Sequence, residues 1–235
     1  MITTGRFVFL HLHKSGGTFV NEFLLRFLPD AHLVGYHLPR HMLPPSHAHL
    51  PVLGLVRNPW SYYVSWYAFQ SRRPQPNPLF SVVSEGCSLD FEGTIANLLD
   101  LGMSGRLLDA AVAALPNGYR NRGINLPGYE LATIRGSGLG FYSFLYRHIY
   151  GGSGSSGAGV TLIGQMERLR EELASMLAAA GERVDAGMRA YLQDAPAQNE
   201  SAHDGYSGYY SDTLRDRVAQ ADAAIIERYG YRFDE

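Results

Sequence analysis

One lysine in a loop of small residues is the first feature of this 235-residue chain that could do chemistry. Of the 20 lysine and arginine residues, only Lys14 is a lysine. An ammonium group is a compact cation with three donors, and neighbouring glycines let backbone amides approach a ligand closely. The residues that follow it are Ser15, Gly16, Gly17 and Thr18. Because loop amides at the start of a helix bind phosphate-like anions, residues 14–18 predict an anion site.

A second cation lies in a comparable setting further along the chain. Arg57 follows an apolar run and precedes Asn58 and Pro59, which are typical of a helix start. Ser65 comes eight residues after Arg57, which is about 12 Å along a helix axis. A guanidinium group is long and planar enough to share one phosphate with a hydroxyl at that distance. Arg57 and Ser65 therefore predict a second anion site.

Each cation is expected to lie between a strand and a helix. Apolar residues predominate over 6–12 and 51–56, as in strands that are buried on both faces. The cation of each site follows its strand, and helices are expected over 18–28 and from 59 to about 70. Further strands are expected at 31–36 and 160–163, and further helices at 91–115 (in two pieces), 141–150, 165–180 and 212–229.

This alternation predicts an α/β fold with three layers, in which a central parallel sheet is flanked by helices. A single domain is expected over residues 1–235. Within it, 71–159 are expected to be variable acceptor-side insertions, with irregular chain at 71–89 and 118–138 and a flexible Gly/Ser loop at 151–159. Since ligands bind beyond the carboxyl ends of parallel strands, we expect Lys14 and Arg57 to lie at one edge of the sheet.

Composition excludes several classes of protein. A net charge of −2 gives no basic field for nucleic acid, and the single Cys87 cannot form an internal disulfide. The chain has no run of about 18 apolar residues, and its first strand begins too early to leave room for a signal peptide. We therefore expect a cytoplasmic protein with no transmembrane segment. Two His-x-His pairs occur, but no cysteine or carboxylate cluster completes a metal site, so no metal is expected.

The Lys14 loop differs from the P-loop of nucleoside-triphosphate enzymes. That loop carries its lysine after the glycines and supplies a hydroxyl for magnesium. Here Lys14 precedes Gly16 and Gly17, and no magnesium ligand is evident. A small-molecule kinase is therefore an alternative, although the loop motif and the magnesium ligand expected of such an enzyme are not evident. A non-catalytic nucleotide-binding module is the other alternative.

Together the two motifs resemble those of sulfotransferases that use 3′-phosphoadenosine 5′-phosphosulfate (PAPS). Residues 14–18 resemble the 5′-phosphosulfate loop of that family, and Arg57-Asn58-Pro59 with Ser65 resembles its 3′-phosphate motif. The sequence of residues 11–18 is most similar to the branch of glycan 2-O-sulfotransferases and bacterial members, although His13 replaces the usual proline. The resemblance covers 6–70 strongly and 160–235 moderately, and it implies the P-loop-NTPase-like sulfotransferase fold.

The resemblance also implies roles for individual residues. Lys14 would contact the 5′-phosphate and the bridging oxygen, Ser15 to Thr18 would wrap the phosphosulfate, and Arg57 and Ser65 would hold the 3′-phosphate. Phe19 matches a position near the adenine. The sequence leaves open whether its ring stacks on the adenine or packs in the core. The product nucleotide would be adenosine 3′,5′-bisphosphate.

A histidine is the expected general base, because its ordinary pKa lies near working pH. The stretch around His37 resembles the one that carries the base in the glycan-type branch, and His41 is the next candidate. His37 can also be read as a histidine hydrogen-bonded at a strand end, and His11 as a buried residue that braces the loop. The acceptor is expected to be a hydroxyl of a sugar, a glycoconjugate or a small metabolite.

Overall fold

A computed structural model describes residues 1–121, 123–151, 160–196 and 205–234. Two compact units divide the chain: Met1–Arg57 with Tyr146–Glu200, and Asn58–Leu145 with Ser201–Glu235. Residues 152–159 of the predicted Gly/Ser loop lie outside the described residues. The expectation of a single domain stays a prediction.

The first unit contains a sheet of five described strands, which confirms the α/β class. The strands are β1 (Ile2–Thr3), β2 (Val8–Phe9), β3 (His32–Leu33), β4 (Val52–Val56) and β5 (Thr161–Gln165), in the order β3-β1-β2-β4-β5. The pairs β2–β4 and β4–β5 are parallel, whereas β1 is antiparallel to both β2 and β3. The sheet is therefore mixed: the predicted parallel pairing is confirmed for β2, β4 and β5, and the antiparallel pairing of β1 was not predicted.

The reason for the antiparallel strand lies in the turn before β2. The amide of Thr4 donates to the carbonyl of Phe7 at 3.0 Å, and the Thr4 hydroxyl donates to the same oxygen at 2.9 Å. A turn this short can join only antiparallel strands, because a parallel pair needs a long crossover. The sequence pattern indicated the strand around 8–9 but gave no sign of the two-residue strand before it.

Eleven α-helices occur among the described residues. They are α1 (Gly17–Phe27), α2 (Pro59–Ser71), α3 (Pro78–Val83), α4 (Phe91–Leu99), α5 (Gly105–Ala114), α6 (Gly128–Leu131), α7 (Phe141–Tyr150), α8 (Leu169–Ala179), α9 (Ala186–Asp194), α10 (Asp212–Ala221) and α11 (Ala223–Tyr229). None of these helices combines the length and the apolar character that a membrane crossing requires.

Most predicted helices are present, and the differences have local causes. Residues 71–89 were expected to be irregular but contain α3, because the Asn77 side chain accepts from the Phe80 amide at 2.7 Å and caps the helix. Residues 118–138 likewise contain the single-turn α6. The helix expected over 212–229 is two helices that break at Asp222. Helix α9 was not predicted.

Apolar side chains from helices and strands form the core of the first unit. Phe23 of α1 and Leu173 and Leu177 of α8 are fully buried together with Phe9 and Leu53 of the central strands. Burying such side chains contributes roughly 1.5–3 kcal/mol each. The strands that precede Lys14 and Arg57 are therefore fixed by a packed core.

The second unit has its own buried polar centre. The carboxylate of Asp222 is fully buried and accepts from the hydroxyl of Tyr63 at 2.7 Å and from the amide of Ser143 at 2.8 Å. The Tyr63 hydroxyl in turn accepts from the amide of Tyr142 at 3.2 Å. Asp222 therefore ties α2 and the first turn of α7 to the break between α10 and α11.

Candidate functional site

The two predicted cation sites lie at the same edge of the sheet in the first unit. Strands β2 and β4 are parallel neighbours, and the amide of Leu10 donates to the carbonyl of Leu53 at 2.9 Å just beyond their paired residues. Lys14 follows β2 and Arg57 follows β4. The Nη1 atom of Arg57 donates to the carbonyl oxygen of Lys14 at 3.2 Å. The structure thus brings the guanidinium of one motif onto the backbone of the other.

Lys14 has an unusual backbone and an unusual electrostatic environment. Its φ is 58°, a left-handed conformation that is rare for a residue with a side chain and is common at functional sites. The residue is half-buried. Burial, and secondarily the charge of Arg57, lowers the pKa of Lys14 to about 8. At pH 7 the amine is therefore mostly protonated, but it gives up its proton more readily than an exposed lysine does.

The start of α1 is open for an anion. Gly16 is the N-cap residue with φ 76° and supplies no capping side chain, and no acidic residue occupies the first turn of this helix. The first amides of a helix without a cap carry partial positive charge and seek an acceptor. Ser15 is buried, with its hydroxyl 3.4 Å from the carbonyl of His13, and Thr18 is exposed. The loop can therefore present amides and Lys14 to one anionic group.

Gly17 is required by the close approach of a histidine ring. A Cβ atom at Gly17 would lie 1.9 Å from Cδ2 of His11. His11 is 6% exposed, which agrees with the expectation of a buried residue that braces the loop. The ring and the helix start therefore fit together only if residue 17 is glycine.

His37 lies beside the same loop. Its φ is 53°, and its Nδ1 atom is 2.9 Å from the carbonyl oxygen of His11. Since a carbonyl only accepts, neutral His37 carries its proton on Nδ1 and keeps a lone pair on Nε2. Burial, with smaller contributions from the Met1 amino group and Lys14, lowers the pKa of His37 to about 4, although the hydrogen bond to His11 opposes this shift. His37 is therefore neutral at pH 7.

The other predicted site residues occupy different surroundings. His41 is exposed in the short turn Arg40–Met42, with its ring centroid 6.1 Å from that of His148. Phe19 is 5% exposed and belongs to the core of the first unit, where its ring lies 5.9 Å from that of Tyr191. This geometry is that of core packing, and a contact of Phe19 with the adenine stays a prediction. Ser65 is buried in α2, which belongs to the second unit, and its sharing of a phosphate with Arg57 stays a prediction.

Tyr150 supports the site and has no signal in the sequence. Its hydroxyl accepts from the amide of Leu55 at 3.0 Å and lies 2.9 Å from the carbonyl of Leu55 and 3.3 Å from that of Leu10. It therefore bridges β2 and β4 where their pairing has ended, directly before the two cation-bearing segments. The ring lies over Gly54, whose Cβ would be 2.3 Å from Cε1 of Tyr150.

The described residues contain no group of three or more His, Cys, Asp or Glu side chains placed to hold a metal ion. Comparison with known proteins finds no matching family model and no significant match among curated proteins. A function is therefore inferred from the geometry of the first unit together with the motifs of the sequence.

Proposed function

We propose that this chain is a sulfotransferase that moves a sulfuryl group from PAPS to a hydroxyl of a carbohydrate or small-molecule acceptor. The observation that carries the proposal is the placement of Lys14 and Arg57 after adjacent parallel strands, with the guanidinium on the Lys14 carbonyl. We propose further that the mixed sheet belongs to the P-loop-NTPase-like fold that this resemblance implies.

The residues of the first unit fit a nucleotide with two anionic ends. The uncapped amides at the start of α1 and the ammonium of Lys14 suit a phosphosulfate group, and the guanidinium of Arg57 suits a phosphate. Ser15 to Thr18 would wrap the phosphosulfate, and Ser65 would join Arg57 at the 3′-phosphate. PAPS itself would supply an activated sulfuryl group.

His37 is proposed as the general base. Its Nε2 lone pair would take the proton of the acceptor hydroxyl as the oxygen of that hydroxyl forms a bond to sulfur. A positioned base of this kind contributes roughly 10²–10⁴-fold to the rate. In the same step the bond from sulfur to the phosphate oxygen breaks, and Lys14 would stabilise the negative charge that builds up on that oxygen.

Because Lys14 is the only lysine of the chain, its ligand can be detected with an amine-selective reagent. We expect adenosine 3′,5′-bisphosphate to protect Lys14 from acetylation, measured by peptide mass spectrometry, whereas ATP at the same concentration protects it much less. Calorimetry with both nucleotides gives the affinities. Equal or tighter binding of ATP would favour the kinase alternative and contradict the proposal.

Arg57→Ala is expected to weaken adenosine 3′,5′-bisphosphate binding by at least tenfold, because a hydrogen bond to a charged group contributes roughly 1.5–3 kcal/mol. The exposed Arg183 of the same unit provides the matched control, Arg183→Ala. Transfer of label from PAPS to a panel of hydroxylated acceptors then tests turnover. Tight nucleotide binding with no transfer to any acceptor would favour the non-catalytic module.

A further inference from the structure

Three histidine rings are packed together beside the Lys14 loop. The ring centroid of His37 lies 4.4 Å from that of His11 and 5.0 Å from that of His13. His11 and His13 are 6% and 7% exposed. The ring of His37 is therefore held by two buried imidazoles that come from the segment between β2 and α1.

The three rings differ in what their Nδ1 atoms contact. The Nδ1 atoms of His11 and His13 are buried and have no hydrogen-bond partner among the described residues. The Nδ1 of His37, in contrast, is 2.9 Å from the carbonyl oxygen of His11. An imidazolium carries a proton on both nitrogens, so protonation of His11 or His13 would bury an N–H group without an acceptor. Leaving such a donor unsatisfied is unfavourable, whereas protonated His37 keeps its acceptor.

We propose that His11 and His13 are positioning residues, which hold the imidazole of His37 between their rings and leave it as the one ring of the three that accepts a proton. This inference rests on the proposed function, because it concerns the residue that we propose as the base. It assigns a role to His13, the residue that replaces the proline usual in the resembled branch.

Burial and the charges around the cluster lower the pKa of all three rings. Lys14 and the amino group of Met1 are cations that oppose protonation of His37, and the two flanking imidazoles contact its ring. Burial and the neighbouring His37 lower the pKa of both His11 and His13 well below the ordinary value. All three rings are therefore neutral near neutral pH, and a proton that His37 accepts returns readily to solvent.

The first test needs only the folded protein. Long-range ¹H–¹⁵N spectra of histidine-labelled protein, recorded as the pH is lowered, report the tautomer and the protonation of each ring. We expect His37 to carry its proton on Nδ1 and to be the first of the three to gain a second proton. His11→Phe and His13→Phe provide the assignments. Protonation of His11 or His13 before His37 would overturn the inference, whatever the catalytic activity.

The second test separates positioning from binding. We expect His13→Ala to lower kcat at least tenfold while the affinity for adenosine 3′,5′-bisphosphate changes less than threefold. His13→Phe keeps a ring in place and should restore most of the lost rate. The exposed His49 supplies the control, His49→Ala. A wild-type kcat for His13→Ala would contradict the positioning role of His13. If the wild-type protein is inactive, that result counts against the proposed function, and the histidine spectra decide the inference about the three rings.

Discussion

At the scale of single residues, the electrostatic state of Lys14 is the feature with the most direct consequence. An isolated lysine keeps its charge far above neutral pH, but here burial and the nearby Arg57 lower the pKa of the amine to about 8. The free protein therefore loses this positive charge within a pH range that ordinary binding experiments cover. Because the expected ligand is an anion, loss of this charge should weaken its binding.

We expect the affinity for adenosine 3′,5′-bisphosphate to be high below pH 8 and to fall as the pH rises through about 8, because an anion binds the protonated amine. Lys14→Arg, whose guanidinium stays charged, should bind with little change over the same range. Calorimetry between about pH 6.5 and about pH 9.5 measures the affinity of both proteins. An affinity that is constant across pH 8 in the wild-type protein would show that Lys14 does not contact the anion.

At the scale of elements, the junction of β2 and α1 depends on a close fit between a glycine and a ring. The His11 ring fills the space that a side chain at Gly17 would need. Overpacking of this kind costs about 1–3 kcal/mol, because a ring held by its neighbours cannot move aside cheaply. The same fit fixes the carbonyl of His11, which accepts the hydrogen bond from His37.

Gly17→Ala is therefore expected to lower the free energy of unfolding by about 1–3 kcal/mol. Gly118→Ala is the matched control, since a Cβ at Gly118 meets nothing within 4 Å. Urea denaturation measures both variants. In the double variant with His11→Ala the loss caused by Gly17→Ala should shrink, and strictly additive losses would mean that the ring is not the obstacle.

The bridge between β2 and β4 supplies a second prediction at this scale. Tyr150→Phe removes the hydroxyl that accepts from the amide of Leu55 and leaves that buried amide without this partner. We expect a loss of about 1–3 kcal/mol in the free energy of unfolding and faster hydrogen exchange at Leu55. Tyr129→Phe, at an exposed tyrosine, serves as the comparison. Unchanged exchange at Leu55 would contradict the bridging role.

At the scale of the whole molecule, each unit has its own buried centre, an apolar core in the first and the Asp222 network in the second. Burial raises the pKa of Asp222, although its hydrogen bonds from Ser143 and Tyr63 oppose this. Asp222 also occupies the break between α10 and α11. The integrity of the second unit should therefore be sensitive to this one side chain.

Asp222→Ala is expected to destabilise the protein by about 3 kcal/mol or more, because it leaves the Tyr63 hydroxyl and the Ser143 amide without an acceptor. Asp109→Ala removes an exposed carboxylate that pairs with Arg135 and should cost at most about 1 kcal/mol. Thermal unfolding followed by circular dichroism compares the two. Similar melting temperatures for both variants would disprove the role given to Asp222.

Local pattern was sufficient to predict the elements that carry the site. Continuous apolar runs identified the strands around 8–9 and 52–56, and the residues that start helices placed α1 and α2 correctly to within a residue or two. The placement of Lys14 and Arg57 at one edge of the sheet also followed from sequence, since the carboxyl ends of neighbouring parallel strands lie at the same edge. These features depend on neighbours along the chain or on a general rule of sheets.

Only the tertiary structure decided which distant groups meet. The antiparallel β1 depends on a four-residue turn, and the Tyr150 hydroxyl reaches strands that lie 95 and 140 residues away in sequence. The contact of His37 with His11 and His13 likewise joins separate segments of chain. Such contacts arise because packing brings together side chains whose spacing in sequence carries no information about their distance in space.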